Sequence, residues 1–176
     1  MLTKNAKKII LNYIMNSSQQ GTSYPTPDST TSGFTLTNIS GDRKMTDLTY
    51  NSVFSFINSL NHMLPNPTQD SKTFIRVGTG TIEATEDDYK LEKYATGLTC
   101  DSVVTAISSN YSKTYTAIFS NTTDADIVVT EIGFFTSCYY RSSFDNDNFL
   151  LDRIVLDTPI TIPAGESKPI TYELSF

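Results

Sequence analysis

The sequence predicts a mainly β protein, an antiparallel β-sandwich with an N-terminal helix or arm and one further short helix. Three observations carry that expectation. The chain holds 26 Thr, 20 Ser, 10 Tyr and 10 Phe among 176 residues, a chemistry that suits pleated, half-buried strands. From Thr73 onward, short runs of alternating apolar and polar residues recur between turn residues. No helical periodicity separates those runs, which favours antiparallel pairing over a parallel α/β sheet.

Taken in order, Ala6, Ile9, Ile10, Tyr13 and Ile14 share one helical face, with Lys4, Lys7, Lys8 and Asn12 on the other, so the spacing predicts an amphipathic helix from Thr3 to Met15. Asn16 to Ser32 is polar and contains Pro25 and Pro27, the composition of a linker or extended arm. The chain therefore divides into a helix and arm over 1–32 and a β-sandwich domain over 33–176, which includes a helix near 50–63. Gly33 to Ile39 alternates as a strand does. Between Tyr50 and Met63, Val53, Phe54, Ile57, Leu60 and Leu64 share a helical face that Pro65 terminates.

Strands are expected at Thr73–Gly78, Asp101–Ser108, Lys113–Ser120, Ile127–Phe135, Leu150–Ile162 with a break at Pro159, and Pro169–Phe176. Ser109-Asn110-Tyr111-Ser112 reads as a hairpin, and Asn121-Thr122-Thr123-Asp124 joins the next two runs. Tyr115, Ala117 and Phe119 alternate with Thr114, Thr116 and Ile118, which specifies one buried face. Pro163, Ala164 and Gly165 punctuate the last turn, and Ile170, Tyr172, Leu174 and Phe176 form the apolar face of a closing strand whose truncation is expected to damage the fold.

Charge and composition narrow the function classes. A formal charge of −6 and a pI near 4.6 argue against direct nucleic-acid binding, because counterion release needs a surplus of Lys and Arg. Cys100 and Cys138 are too few for a disulfide framework and read as free, largely buried thiols. Neither a cleavable leader nor a run of about 20 apolar residues is recognisable, so assembly in a cytoplasm is expected, with no membrane partner.

Catalytic chemistry is sparse. The single histidine, His62, falls at a predicted helix end, where the macrodipole favours it. Asp145-Asn146-Asp147-Asn148 begins like a calcium loop, but Leu150 and Leu156 stand where that loop needs Gly and Glu. Glu83, Glu86, Asp87 and Asp88 read as a solvated cluster capping a helix start. Val77-Gly78-Thr79-Gly80 lacks the Lys of a phosphate loop and suits a strand leaving its sheet through a bulge or a left-handed residue. No catalytic residue, metal ligand or cofactor is expected; Gly78, Gly80, Gly133 and Gly165 are assigned structural turn roles.

Val77-Gly78-Thr79-Gly80-Thr81, followed by Asp88-Tyr89-Lys90-Leu91-Glu92, then Thr130-Glu131-Ile132-Gly133-Phe134-Phe135 and Pro159-Ile160-Thr161-Ile162-Pro163-Ala164-Gly165-Glu166, resembles a pattern of small structural proteins of tailed bacteriophages and prophages. Tyr89 departs from the Thr usual in that pattern. The resemblance spans residues 73–176 and implies a non-enzymatic virion subunit of a tail, collar or head-to-tail position, with other virion proteins and further copies of itself as partners. It transfers no active-site residue.

On this reading the candidate interface residues are Ile9, Ile10, Tyr13 and Ile14 of the helix and Tyr139, Tyr140, Arg141 and Phe144 of a loop. The helix either reaches an adjacent subunit or folds back on its own chain. The aromatic loop either joins subunits or contacts a host glycan or protein, which is the alternative reading as an adhesion module. A glycan hydrolase using Asp145 and Asp152 is a third reading, with no fixed carboxylate geometry to support it.

Overall fold

The structure is a computed structural model that describes residues 2–8, 34–46, 75–109, 112–139 and 146–175. Within them the protein is mainly β and antiparallel, with one short helical turn at 4–8. The strands are β1 (Phe34–Thr37), β2 (Arg43–Thr46), β3 (Ile75–Gly78), β4 (Leu98–Ser109), β5 (Ser112–Asn121), β6 (Ile127–Tyr139), β7 (Asn146–Ile162) and β8 (Ser167–Ser175). They form a two-stranded β1-β2 ladder, a β3-β6-β7 sheet and a β4-β5-β8 sheet.

The two three-stranded sheets contribute to one hydrophobic cluster. Ile132, Phe134, Leu151 and Ile162 come from the first, and Tyr115, Ala117, Phe119, Ile170 and Tyr172 from the second. Phe134 sits between them, its ring 4.9 Å from Tyr115 and stacked at 5.6 Å on Tyr172. The period-2 patterns place these residues: Tyr115, Ala117 and Phe119 are buried, whereas Ile118 is 36% exposed. Likewise Ile170 and Tyr172 are buried, while Thr171 and Glu173 face outward.

The β3-β6-β7 sheet is covered on its second face too. Leu91, Phe135 and Leu150 form a smaller buried cluster, so the stretch between β3 and β4 lies over the sheet as an outer layer. Both edges of this sheet meet backbone of the same chain. On the β3 side, Thr79 N donates to Lys93 O at 2.8 Å and Ala95 N to Val77 O at 3.0 Å; on the β7 side, Thr3 N donates to Leu151 O at 3.0 Å.

The turn at Asn121–Asp124 carries the chain from one sheet to the other and is not a hairpin, and the Pro163–Glu166 turn makes the return crossing. Asn121, only 2% exposed, ties the two crossings together. Its side-chain amide donates to Ala125 O, Ile162 O and Pro163 O at 2.8, 3.0 and 3.1 Å. Gly165 adopts φ 70° in a turn closed by Glu166 N donating to Pro163 O at 3.1 Å, the left-handed position such a turn reserves for glycine.

Several elements depart from the sequence reading. No break occurs at Pro159: β7 runs through it, and the irregularity is in pairing, since Ile160 stands opposite Val129 and Val155 opposite Glu131. Residues 156–159 thus bulge past Thr130, where a proline lacking its N–H costs the ladder nothing. Arg43–Thr46 pairs with Phe34–Thr37, a hairpin hidden because β2 carries Arg43 and Lys44. Its turn is held by Asn38 Oδ1, which accepts from Ser40 N at 3.0 Å and Asp42 N at 2.8 Å. The predicted helix beyond residue 8, the 16–32 arm, the 50–63 helix and His62 lie outside the described residues.

Candidate functional site

The densest polar cluster grows from two charged residues inside apolar strands. Glu131 on β6 is fully buried, and the Arg153 side chain on β7 is 3% exposed. Arg153 Nε donates to Glu131 Oε2 at 2.7 Å. Glu131 Oε1 also accepts from Gly80 N at 3.1 Å and Lys93 N at 2.8 Å, and Oε2 from Glu92 N at 3.1 Å. A carboxylate offers about four lone-pair positions, and each has its donor.

Arg153 spends its remaining donors on the outer layer. Its two terminal nitrogens donate to Asp88 Oδ2 at 2.8 Å and Ile82 O at 2.9 Å, the second lying 3.8 Å from Glu92 Oε2. Glu92 Oε2 in turn accepts from Thr81 N and Ile82 N, both at 2.7 Å. Three carboxylates therefore surround one guanidinium. The excess negative charge is met by the backbone N–H groups of Gly80, Thr81, Ile82, Thr85, Glu92 and Lys93, a nest of oriented dipoles.

Burial opposes ionisation of Asp88, but the Thr85 amide and Arg153 outweigh it and hold the carboxyl below its ordinary value. Burial likewise works against the Arg153 charge, and hydrogen bonds to Asp88 and Glu131 more than restore it. This arrangement keeps its charges in place and fixes loops. With every Glu131 lone pair engaged by a donor of the same chain, it is built as a latch.

The glycines serve the latch by closeness. The sequence reading puts Gly78 and Gly80 at a bulge or in a left-handed conformation, but among the described residues the positive-φ glycines are Gly41, Gly97 and Gly165. A Cβ on Gly78 would lie 2.5 Å from Lys93 O, and one on Gly80 would lie 2.6 Å from Glu131 Oε1. Their lack of a side chain lets the backbone reach the buried carboxylate. Gly133 lies inside β6 and at no turn; a Cβ there would meet Leu91 Cδ2 at 2.8 Å.

The acidic cluster caps no helix. Asp88 N donates to Thr85 O at 3.3 Å in a turn, and Asp88 belongs to the latch. Glu86 and Asp87 instead receive the lysines of the N-terminal segment: Lys4 pairs with Asp87, and Lys7 with Glu86. Glu86 is held below its ordinary value chiefly by its hydrogen bond with Lys7.

A second buried pair joins the two sheets. The Tyr172 hydroxyl on β8 donates to Asp152 Oδ2 on β7, and Arg153 N donates to Asp152 Oδ1 at 2.8 Å. Asp152 is 9% exposed, so the carboxylate considered for glycan hydrolysis acts as an acceptor between sheets. Asp145 lies outside the described residues, as do Ile9, Ile10, Tyr13, Ile14, Tyr140, Arg141 and Phe144. Tyr139 ends β6, its backbone opposite Asn146.

Arg153 was not among the residues singled out by sequence, and Glu131 stood there only inside the Thr130–Phe135 motif, with no role assigned to it. Their signal is a charge inside an apolar strand: Glu131 follows Ile127-Val128-Val129, and Asp152-Arg153 interrupts Leu150-Leu151 and Ile154-Val155. Charges are rarely buried without a partner, so opposite charges in neighbouring apolar strands point to each other. Among the described residues, no cluster of three or more His, Cys, Asp or Glu side chains could hold a metal ion, and no helix is long and apolar enough to cross a membrane. No protein-family model, curated protein or solved structure matches the chain.

Proposed function

We propose that the protein is a non-enzymatic structural subunit of a tailed-phage particle, in the tail, collar or head-to-tail region. It is a β-sandwich that works through repeated contacts with other virion proteins and copies of itself. One observation carries this reading. Three segments behind the resemblance, Val77–Thr81, Asp88–Glu92 and Thr130–Phe135, meet around the Glu131–Arg153 pair. Their backbone amides and the carboxylates of Asp88, Glu92 and Glu131 are engaged in fixing one another, as suits a part whose task is to hold a shape. The shared core of the two three-stranded sheets supports the sandwich architecture.

The test is to purify particles from an induced host and quantify this chain by mass spectrometry, while measuring the size of the isolated protein by sedimentation. A fixed copy number per particle and a defined oligomer are expected. A chain absent from particles and monomeric at every concentration overturns the reading. A monomer that binds cell-surface polysaccharide would point to the adhesion module instead.

A further inference from the structure

Among the described residues, the N-terminal segment occupies a groove whose walls come from distant parts of the chain. One wall is the edge of β7, where Leu2 forms a bridge with Asp152, Thr3 N donates to Leu151 O, and Thr3 Oγ1 donates to Leu150 O at 2.8 Å and Leu151 O at 3.1 Å. A second wall is β1. The Asn5 side chain imitates a strand there: its Nδ2 donates to Thr37 O at 2.7 Å, and its Oδ1 accepts from Thr37 N at 3.0 Å. The third wall is the acidic turn, where Lys4 N donates to Glu86 O at 2.7 Å and Lys4 and Lys7 pair with Asp87 and Glu86. Ala6, 2% exposed, enters the main core.

Among the described residues, every contact that docks this segment reaches residue 35 or beyond, so the same segment from another molecule would find the same partners. The connector also permits it. Residues 9–33 leave from Lys8 and return at Phe34, although Lys8 Nζ already touches Thr35 O at 2.9 Å. The two ends are neighbours, yet 25 residues join them; fully extended, that length reaches at most roughly 90 Å. Charge adds direction, because the two lysines meet two carboxylates on a chain of formal charge −6, and opposite patches steer encounter.

We infer that this groove is the acceptor for residues 2–8 of a second copy, so that subunits join by exchanging their N-terminal segments. This rests on the subunit reading above and gives it a specific interface. Exchange of an identical element lets an assembly reuse contacts already built for one chain.

The test places Lys4→Cys and Glu86→Cys in one full-length chain, with Cys100 and Cys138 replaced by Ser, and oxidises the assembled protein mildly. Covalent multimers on a non-reducing denaturing gel are the expected result. An internally cross-linked single chain overturns the exchange, as does a chain that forms no cross-link. If the paired cysteines disturb folding, a Lys4→Glu, Lys7→Glu chain is refolded with a Glu86→Lys, Asp87→Lys chain. Mixed oligomers are then expected, and two separate monomer populations overturn the proposal. Copies found in particles but cross-linked only internally would remove the exchange and leave the subunit reading intact.

Discussion

Glu131 and Arg153 are diagonal neighbours across β6 and β7, joined at 2.7 Å with neither side chain more than 3% exposed. Arg153 stands opposite Gly133, two residues along β6 from Glu131, so both project to the same face. Through this pair the core of the sheet determines the path of residues 80–93, which no regular element holds.

Removing one partner should therefore cost far more than removing a surface ion pair. Arg153→Ala leaves the fully buried Glu131 carboxylate without its cation, Glu131→Ala strips the buried guanidinium of its most deeply buried partner, and each is expected to destabilise the fold by about 3–5 kcal/mol. Glu131→Ala combined with Arg153→Ala should cost clearly less than the sum of the single changes, because neither group of the pair is then left facing the other's empty place. Urea unfolding of the four proteins checks this, and simple additivity would remove the latch.

The glycines separate two mechanisms. Gly80→Ala meets Glu131 Oε1 and Glu92 Cβ within 2.6 Å and should cost about 1–3 kcal/mol through overpacking. Gly165 has nothing within 4 Å of an added Cβ, so Gly165→Ala should cost about 1–2 kcal/mol, from its positive φ alone. Replacing Gly165 by Asn, which tolerates that conformation, should recover part of the loss. Asn at position 80 should recover none. Denaturation midpoints of the four variants distinguish the two.

Much of the core shared by the two three-stranded sheets was legible. In β5 and β8 one face is buried and the other is wet, so Tyr115, Ala117, Phe119, Ile170 and Tyr172 declare themselves by period 2. β6 was legible as a strand but not as a surface buried on both sides: its outward positions carry Glu131, Gly133 and Phe135, which meet Leu91, Glu92 and Lys93 some forty positions earlier. Val77–Gly80 and Asp88–Glu92 stood out as motifs, but their meeting point did not, because Arg153 lies far along the chain. The short β2 was missed because Arg43-Lys44-Met45-Thr46 shows no alternation of apolar and polar residues in its sequence, and its pairing rests on the Asn38 turn.

Tyr172 makes a prediction at high pH. Burial, followed by the hydrogen bond and charge of Asp152, pushes its hydroxyl above the usual value of 10.0, and burial pushes Tyr115 up to about 12. The folded state thus favours the neutral phenols; this stability is complete below pH 10 and is lost as pH rises beyond it. Tyr172→Phe should cost about 1–3 kcal/mol at pH 7, by depriving Asp152 of a donor. It should also flatten the fall in melting temperature between pH 10 and 12, with Tyr115 supplying what slope remains. Parallel curves for the two proteins would contradict the assignment.

Asp88 makes the opposite prediction at low pH. Burial opposes its charge, yet the Thr85 amide and Arg153 hold it below the ordinary value of 3.8, so the fold prefers its charged form. That contribution is present above the unfolded value and is lost as pH falls through the folded one. The wild-type melting temperature should therefore drop on acidification below about pH 4, the ordinary aspartate range. Asp88→Asn keeps the size but not the charge, and should begin less stable at pH 7 while losing less between pH 4 and 2. Because the Arg153 end of this pair is buried, 1 M salt should leave the difference largely in place, whereas it should weaken the exposed Lys7–Glu86 pair. Melting curves over that pH range, in low and high salt, decide whether Asp88 belongs to the latch or only to the surface; an Asp88→Asn curve parallel to the wild type would assign it to the surface.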